Sequence, residues 1–227
     1  MEPWMRDAFW QGLWGGLFEL LALGVVALWV NLIYQRIQSR QRRRSDLIEE
    51  IDAFSHALYK PRKLYQAALD RPELFDFAPE GERESLKVQR MHTCLAELTE
   101  AAGRFRALQV KLVPLFGFDV KLFGFYLAIW RYLRQLRKRM ERGESLYFHH
   151  ESASSADAFY RLIDAFRYRV QLTKSTRDKA QLITPPPELL REMEAEAEAL
   201  YERYFGCSPE ALEAGVTSSE AEASTDA

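Results

Sequence analysis

Histidines, cysteines and neighbouring carboxylates are the residues that most often bind metals or act as catalysts, and in this chain they are scattered. His149 and His150 are adjacent, but neither HExxH nor ExxH occurs, so their spacing does not indicate a zinc site. Cys94 and Cys207 are far apart, which excludes CxxC redox chemistry and a disulfide framework. No glycine-rich phosphate loop and no nucleophile elbow is present. We therefore expect no catalytic residues, no bound cofactor or metal, and no enzymatic activity.

The charge of the chain is nearly balanced overall but unevenly distributed. The formal net charge is −2 over 227 residues, of which 48% are hydrophobic, enough for a packed core. Basic residues cluster at 36–44 and 131–142, whereas residues 188–227 are strongly acidic. The second basic cluster has an apolar face and no nucleic-acid-binding motif, so we do not expect nucleic acid as a partner.

The longest apolar stretch lies near the N-terminus, at residues 13–34. From Leu13 to Ile33 a helix of 21 residues would be about 31 Å long, close to the thickness of a bilayer's hydrocarbon core. Its aliphatic and Phe residues favour insertion by about −4 to −7 kcal/mol, while Glu19, the single ionisable residue, costs at most ~3 kcal/mol. A cleaved signal peptide fits less well, because the apolar run continues past the one candidate cleavage site. We predict an uncleaved transmembrane helix over residues 13–34.

A basic segment, residues 35–46, follows this stretch. It contains Arg36, Arg40, Arg42, Arg43 and Arg44. Positive charge beside a span is retained in the cytoplasm, so we expect a single-pass inner-membrane protein with residues 1–12 outside and its C-terminus in the cytoplasm. The same arginines would lie among anionic lipid headgroups, each attracted by ~1 kcal/mol. Their role as a topology signal is sufficient to explain them, and specific lipid binding is the alternative.

Small residues on one side of the apolar stretch predict helix association within the membrane. Gly12, Gly16, Glu19 and Gly24 share one helical stripe. Small residues four apart let helix backbones approach closely, and a glutamate on that stripe would face a partner helix rather than lipid. The stripe therefore favours a homo-oligomer, although glycine is common in membrane helices without any such role.

Residues 47–206 show helical periodicity throughout and no strand-like alternation, which predicts an all-α fold with an antiparallel cytoplasmic bundle. We expect the first helix to end or bend near Pro61, and the last helix to pack on the end or side of the bundle. The clearest heptad includes a gap at Gln109. Residues 207–227 are acidic and rich in small residues, so we expect a disordered tail. The predicted apolar seams are Leu47–Leu58, Val88–Leu112, Leu122–Met140, Phe159–Val170 and Leu189–Tyr204.

The segment 112–130 is nearly as long as a membrane span, but Asp119 and Lys121 offset its apolar residues. A second crossing would also place the arginines that follow it outside the cell. We therefore predict a turn followed by an apolar core helix. The alternative is an interfacial segment whose aromatic residues enter the headgroup region; those residues are Phe116, Phe118, Phe123, Phe125 and Trp130.

Two functions fit this organisation. The first is a membrane-anchored interaction, sensing or scaffold module that binds protein partners at the cytoplasmic face. The second is an oligomerising effector that perturbs the membrane when its cytoplasmic helical domain is triggered. Small proteins with a short membrane segment and a cytoplasmic helical domain resemble, in architecture alone, effectors of bacterial anti-phage systems.

Overall fold

The computed structural model describes residues 3–146, 154–173 and 184–206, with the side chains of residues 3–20, 22, 72 and 154–156 outside the description. The described part is all-helical and contains no strand, which confirms the predicted fold class at that level. A short 3-10 helix, Pro72–Phe75, follows the first α-helix. The five α-helices are α1 (Pro3–Asp70), α2 (Glu80–Phe116), α3 (Val120–Arg142), α4 (Ser154–Leu172) and α5 (Pro187–Phe205).

The chain divides into two compact units, residues 1–45 and residues 46–227. In the first unit, the large apolar side chains described between Leu21 and Ile37 are all exposed, with 49–66% of each accessible to solvent. Within the described part of the chain, no helix is both long enough and apolar enough to cross a membrane. The transmembrane helix predicted over residues 13–34 is therefore not supported, and the side chains of its residues 13–20 and 22 fall outside the description.

The second unit is a helical bundle in which α1 and α2 run in opposite directions, as do α3 and α4. Phe54 of α1 contacts Phe105 of α2, with ring centroids 4.7 Å apart, and the earlier Glu50 pairs with the later Lys111. In α3 and α4, Tyr132 stacks on Phe159 and Phe125 lies near Phe166, again in reversed order. Aromatic rings from four helices thus meet in one core.

The turn between α2 and α3 is built from residues with specific local roles. Gly117 has φ = 63°, a conformation that side chains disfavour, and its N–H donates to the carbonyl of Val113 at 2.8 Å. The Asp119 carboxylate then caps α3 by accepting from the N–H of Leu122 at 2.8 Å. The predicted turn and core helix in segment 112–130 are confirmed, because Leu122 is fully buried in the helix that follows.

The end of α1 holds the end of α3 through polar contacts. The hydroxyl of Tyr65 lies 3.3 Å from the carbonyl oxygen of Met140 and 3.2 Å from that of Glu144. The side-chain oxygen of Gln66 accepts from the N–H of Leu146 at 2.8 Å. Since both side chains follow Pro61, the prediction that the helix ends near that proline is wrong: α1 continues to Asp70.

The buried seam of α2 agrees with the predicted one at Leu98, Phe105 and Leu112, which are almost fully buried, and differs from it at the positions between them. Val88 is exposed, and Met91, Leu95 and Ala102 are only half-buried. The buried residues follow a regular four-three spacing, and Gln109 interrupts nothing because Leu108 occupies the core position. They are Cys94, Leu98, Ala101, Phe105, Leu108, Leu112 and Leu115.

The last helix is part of the core rather than an addition to the end of the bundle. The contact between α3 and α5 is more extensive than the contact between any other two helices. Its residues Met193, Ala197 and Leu200 are almost fully buried. Gly124 of α3 makes this close packing possible, because a Cβ at that position would lie 2.9 Å from the Cβ of Glu196.

Candidate binding groove

The residues predicted to associate helices lie in the first unit. The side chains of Gly12, Gly16 and Glu19 fall outside the described part of the chain. A Cβ placed on Gly24 would meet none of the described atoms within 4 Å. The predicted basic segment is accessible: Arg36, Arg40, Arg42 and Arg43 are exposed and Arg44 is half-buried.

The aromatic residues of the predicted interfacial segment divide into two groups. Phe116 and Phe123 belong to the core and are 2% and 3% exposed, so they are not available to lipid headgroups in this fold. Phe118, Phe125 and Trp130 are half-buried and pack against the core from outside. Phe118, Phe123 and Trp130 line a cavity instead.

This cavity, which we call the binding groove, lies between α2, α3 and the start of α5 and has a volume of about 600 Å³. Such a volume lies within the range of small-molecule sites. The floor is apolar and mostly aromatic, and α3 contributes most of it. The main floor residues are Phe118, Phe123, Tyr126, Trp130, Leu190 and Met193.

The periodicity of α3 explains how one helix forms both core and groove. Leu122, Ile129 and Leu136 point into the core and are fully buried. Side chains that follow one another at intervals of three and four residues, from Leu127 to Glu141, lie on the neighbouring face of α3 and line the groove. The fourteen residue-to-residue steps from Leu127 to Glu141, at ~1.5 Å each, give this face a length of about 21 Å. The groove is therefore elongated along α3.

The rim of the groove is positively charged. Arg106 of α2 and three α3 residues, Arg134, Arg137 and Lys138, line it, whereas Glu141 is the one carboxylate among the lining residues that the structure describes. Glu141 accepts from the Nε of Arg137 at 2.7 Å and neutralises part of this charge. An excess of positive charge beside an apolar floor selects ligands that are both apolar and anionic.

The tyrosine in the floor stays neutral at physiological pH. Burial raises the pKa of Tyr126 to about 12, and the nearby positive charge of Arg106 only partly opposes this shift. The same aromatic ring stacks on Phe105 of the core, with centroids 4.9 Å apart. The floor therefore has a fixed geometry and carries no negative charge of its own.

A second cluster surrounds Arg62 of α1, where Nη1 is buried without a hydrogen-bond partner. Its guanidinium carbon lies 5.7–5.9 Å from the ring centres of Tyr132, Phe159 and Tyr160. Cation–π contacts of this kind stabilise by about 0.5–2 kcal/mol each, which offsets the missing hydrogen bond. We interpret this cluster as a junction between α1, α3 and α4.

The described residues show no arrangement suited to metal binding. No group of three or more His, Cys, Asp or Glu residues lies close enough together in that part of the chain to hold an ion. Cys94 is buried beside α1, and burial raises the pKa of its thiol, which makes it a poor nucleophile. His149 and His150 lie outside the described residues.

Comparison with known proteins adds no functional information. No family model, no curated protein and no solved structure matches this chain. Its function therefore has to be argued from the chemistry of its own surfaces.

Sequence reasoning identified the parts of the groove without assembling them. The aromatic residues up to Trp130 were predicted to belong to a turn and a core helix, with an interfacial segment as the alternative, and the basic residues after Trp130 were noted as a charged cluster. Nothing in the sequence indicated that Arg106 of α2 and Leu190 of α5 would join α3 in lining the groove. The run of cations on one face of α3, at Arg134, Arg137 and Lys138, was the one available signal.

Proposed function

We propose that this protein is a membrane-anchored interaction protein, held at the cytoplasmic face of the inner membrane by the start of α1, and that its bundle binds a protein partner. The observation that carries this proposal is the exposed apolar surface of α1 from Leu21 to Tyr34, followed by the arginines of segment 35–46. Large exposed apolar surfaces of this kind are covered by a membrane or by another protein.

The energetics of the described side chains favour a bilayer. Eight Leu, Val and Ile residues between Leu21 and Tyr34 are exposed, and at −0.3 to −0.6 kcal/mol each they contribute about −2 to −5 kcal/mol to insertion. Trp29 and Tyr34 lie toward the basic end, where interfacial aromatic residues are common. The arginines that follow favour a cytoplasmic location for the bundle, where a groove with charged walls would meet its partner.

The anchor is tested by extracting membranes with alkaline carbonate and measuring how much of the full-length chain stays in the pellet. Replacing Val26 and Val30 with arginine places two charges within the apolar stretch, at a cost of about 2.5–3.5 kcal/mol each. We expect this variant to move to the supernatant. A control with Gln35→Arg and Gln41→Arg adds the same charge outside the stretch and should stay in the pellet.

The anchor proposal is refuted if the wild-type chain is recovered in the supernatant without detergent. Orientation is measured separately with a tag at Ala227, which protease should reach only after the inner membrane is opened. Cleavage of the tag in intact spheroplasts would contradict the cytoplasmic location of the bundle.

The oligomerising effector remains the alternative function, and it depends on residues 12–19, whose side chains the structure does not describe. Its signature is depolarisation of the inner membrane and growth arrest when the protein is overproduced. Replacing Glu19 with leucine should abolish both effects if helix association through that residue opens the membrane. An anchored protein without this activity would leave both measurements unchanged.

A further inference from the structure

The binding groove changes character along its length. Its floor near the start of α3 is aromatic, with Phe123, Tyr126 and Trp130, while the part nearer the end of α3 is cationic, with Arg134 and Lys138. Its length along α3, about 21 Å, corresponds to roughly four turns of an α-helix. A ligand that fills it must therefore combine an apolar surface with negative charges.

The chain itself contains a helix with this chemistry, bound to the same α3. α5 buries Met193, Ala197, Leu200 and Tyr201 against the bundle, and its remaining surface is strongly acidic. Its acidic residues are Glu188, Glu192, Glu194, Glu196, Glu198 and Glu202. α3 thus packs against an acidic amphipathic helix on one side and leaves an apolar, cationic groove open on the next.

We propose that the binding groove holds an acidic amphipathic helix of a partner protein. The apolar side of that helix would lie on Trp130 and Leu190, and its carboxylates would pair with Arg106 and Arg134. Helix-in-groove binding of this type relies on apolar anchors spaced three and four residues apart. The cationic rim disfavours a basic helix, so the charge of the rim provides selectivity as well as attraction. This inference rests on the proposed function, because it names the class of the protein partner.

The test uses the full-length chain in non-ionic detergent and two labelled synthetic peptides of 18 residues. Both have leucine at helical spacing; one has glutamate at its polar positions and the other lysine. We expect the acidic peptide to bind at least tenfold more tightly by fluorescence anisotropy, and to weaken when salt is raised. Replacing Arg106 and Arg134 with glutamate should weaken its binding at least tenfold. The control Arg104→Glu with Lys121→Glu makes the same charge change at exposed positions outside the groove and should leave binding unchanged.

Three results would overturn the proposal. The first is equal binding of both peptides, or equal effects of the groove and control variants. The second is displacement of the acidic peptide by a short-chain anionic phospholipid that binds more tightly and through the same arginines, which would make the groove a lipid site. The third is self-association of the chain that is lost in the groove variant, which would make a second copy the occupant.

The two proposals fail separately. A chain that leaves the membrane in carbonate but binds the acidic peptide refutes the anchor and retains the groove. A chain that stays in the membrane and binds neither peptide refutes the inferred partner class alone.

Discussion

The position of α5 against α3 can be tested with a single methyl group. A Cβ added to Gly124 would lie 2.5 Å from the Cγ and 2.9 Å from the Cβ of Glu196, both well inside van der Waals contact. The atoms it meets include the root of the side chain as well as its flexible part, so α5 must shift to accommodate it. Overpacking of this kind costs about 1–3 kcal/mol.

A second glycine provides a matched control. Gly103 lies within α2, and a Cβ added there would meet nothing within 4 Å. Replacing either glycine with alanine improves helix propensity by about 1 kcal/mol. Because this gain is common to both variants, their difference in unfolding free energy isolates the clash, and we expect Gly124→Ala to be less stable than Gly103→Ala by about 1–3 kcal/mol.

The assay is urea unfolding of the full chain in detergent, followed by circular dichroism at equal protein and detergent concentrations. Hydrogen exchange provides the location of the effect: amides of α5 should exchange faster in Gly124→Ala, while those near Tyr65 in α1 should not. If both variants are stabilised equally, Gly124 does not contact Glu196 and α5 is not packed on α3 as described.

Two further perturbations test the core. Leu108→Ala should destabilise the bundle by about 2–5 kcal/mol, and Leu95→Ala should destabilise it by clearly less because Leu95 is only half-buried. Equal urea midpoints for the two variants would contradict the observed register of α2. Burial raises the pKa of Tyr65, Tyr126 and Tyr132 to about 12, so the native state keeps protons that the unfolded chain loses above pH ~10. Stability should fall as pH rises from about 10 to 12, and Tyr132→Phe should flatten that fall by up to ~1.4 kcal/mol per pH unit; unchanged urea midpoints at pH 9 and 11 would refute this.

The α3 helix was predictable because its ends and its buried face all have strong local signals. Asp119 is a good N-cap residue, and Gly143 has the positive φ of 72° that favours glycine after the last turn. Between them, Leu122, Ile129 and Met140 follow the predicted seam and are buried. A helix can be predicted from the sequence when its N-cap residue, its apolar periodicity and its terminating glycine all indicate the same bounds.

The α2 seam was predicted only in part, at Leu98, Phe105 and Leu112, because two registers that share these residues are almost equally apolar. The predicted one contains Met91, Leu95 and Ala102, while the observed one contains Cys94 and Leu108. Cys94 and Ala101 of the observed register contribute little hydrophobic signal in the sequence, although cysteine and alanine are among the residue types most often buried. The choice between registers is made by packing against the other helices, which buries Leu108 and leaves Leu95 only half-buried, and which no local window of sequence contains.

The groove depends on that same choice of register. With Leu108 in the core, the residues one turn apart at Ala102, Arg106 and Gln109 face the open side of α3 and form the α2 wall. In the predicted register, Ala102 and Gln109 would point into the seam, and Arg106 would stand next to the core. A cationic wall opposite the aromatic floor therefore arises only when α2 takes the observed register, so the core and the binding chemistry are set by the same packing. Substitutions that shift the register of α2 should remove the selectivity of the groove before they unfold the bundle.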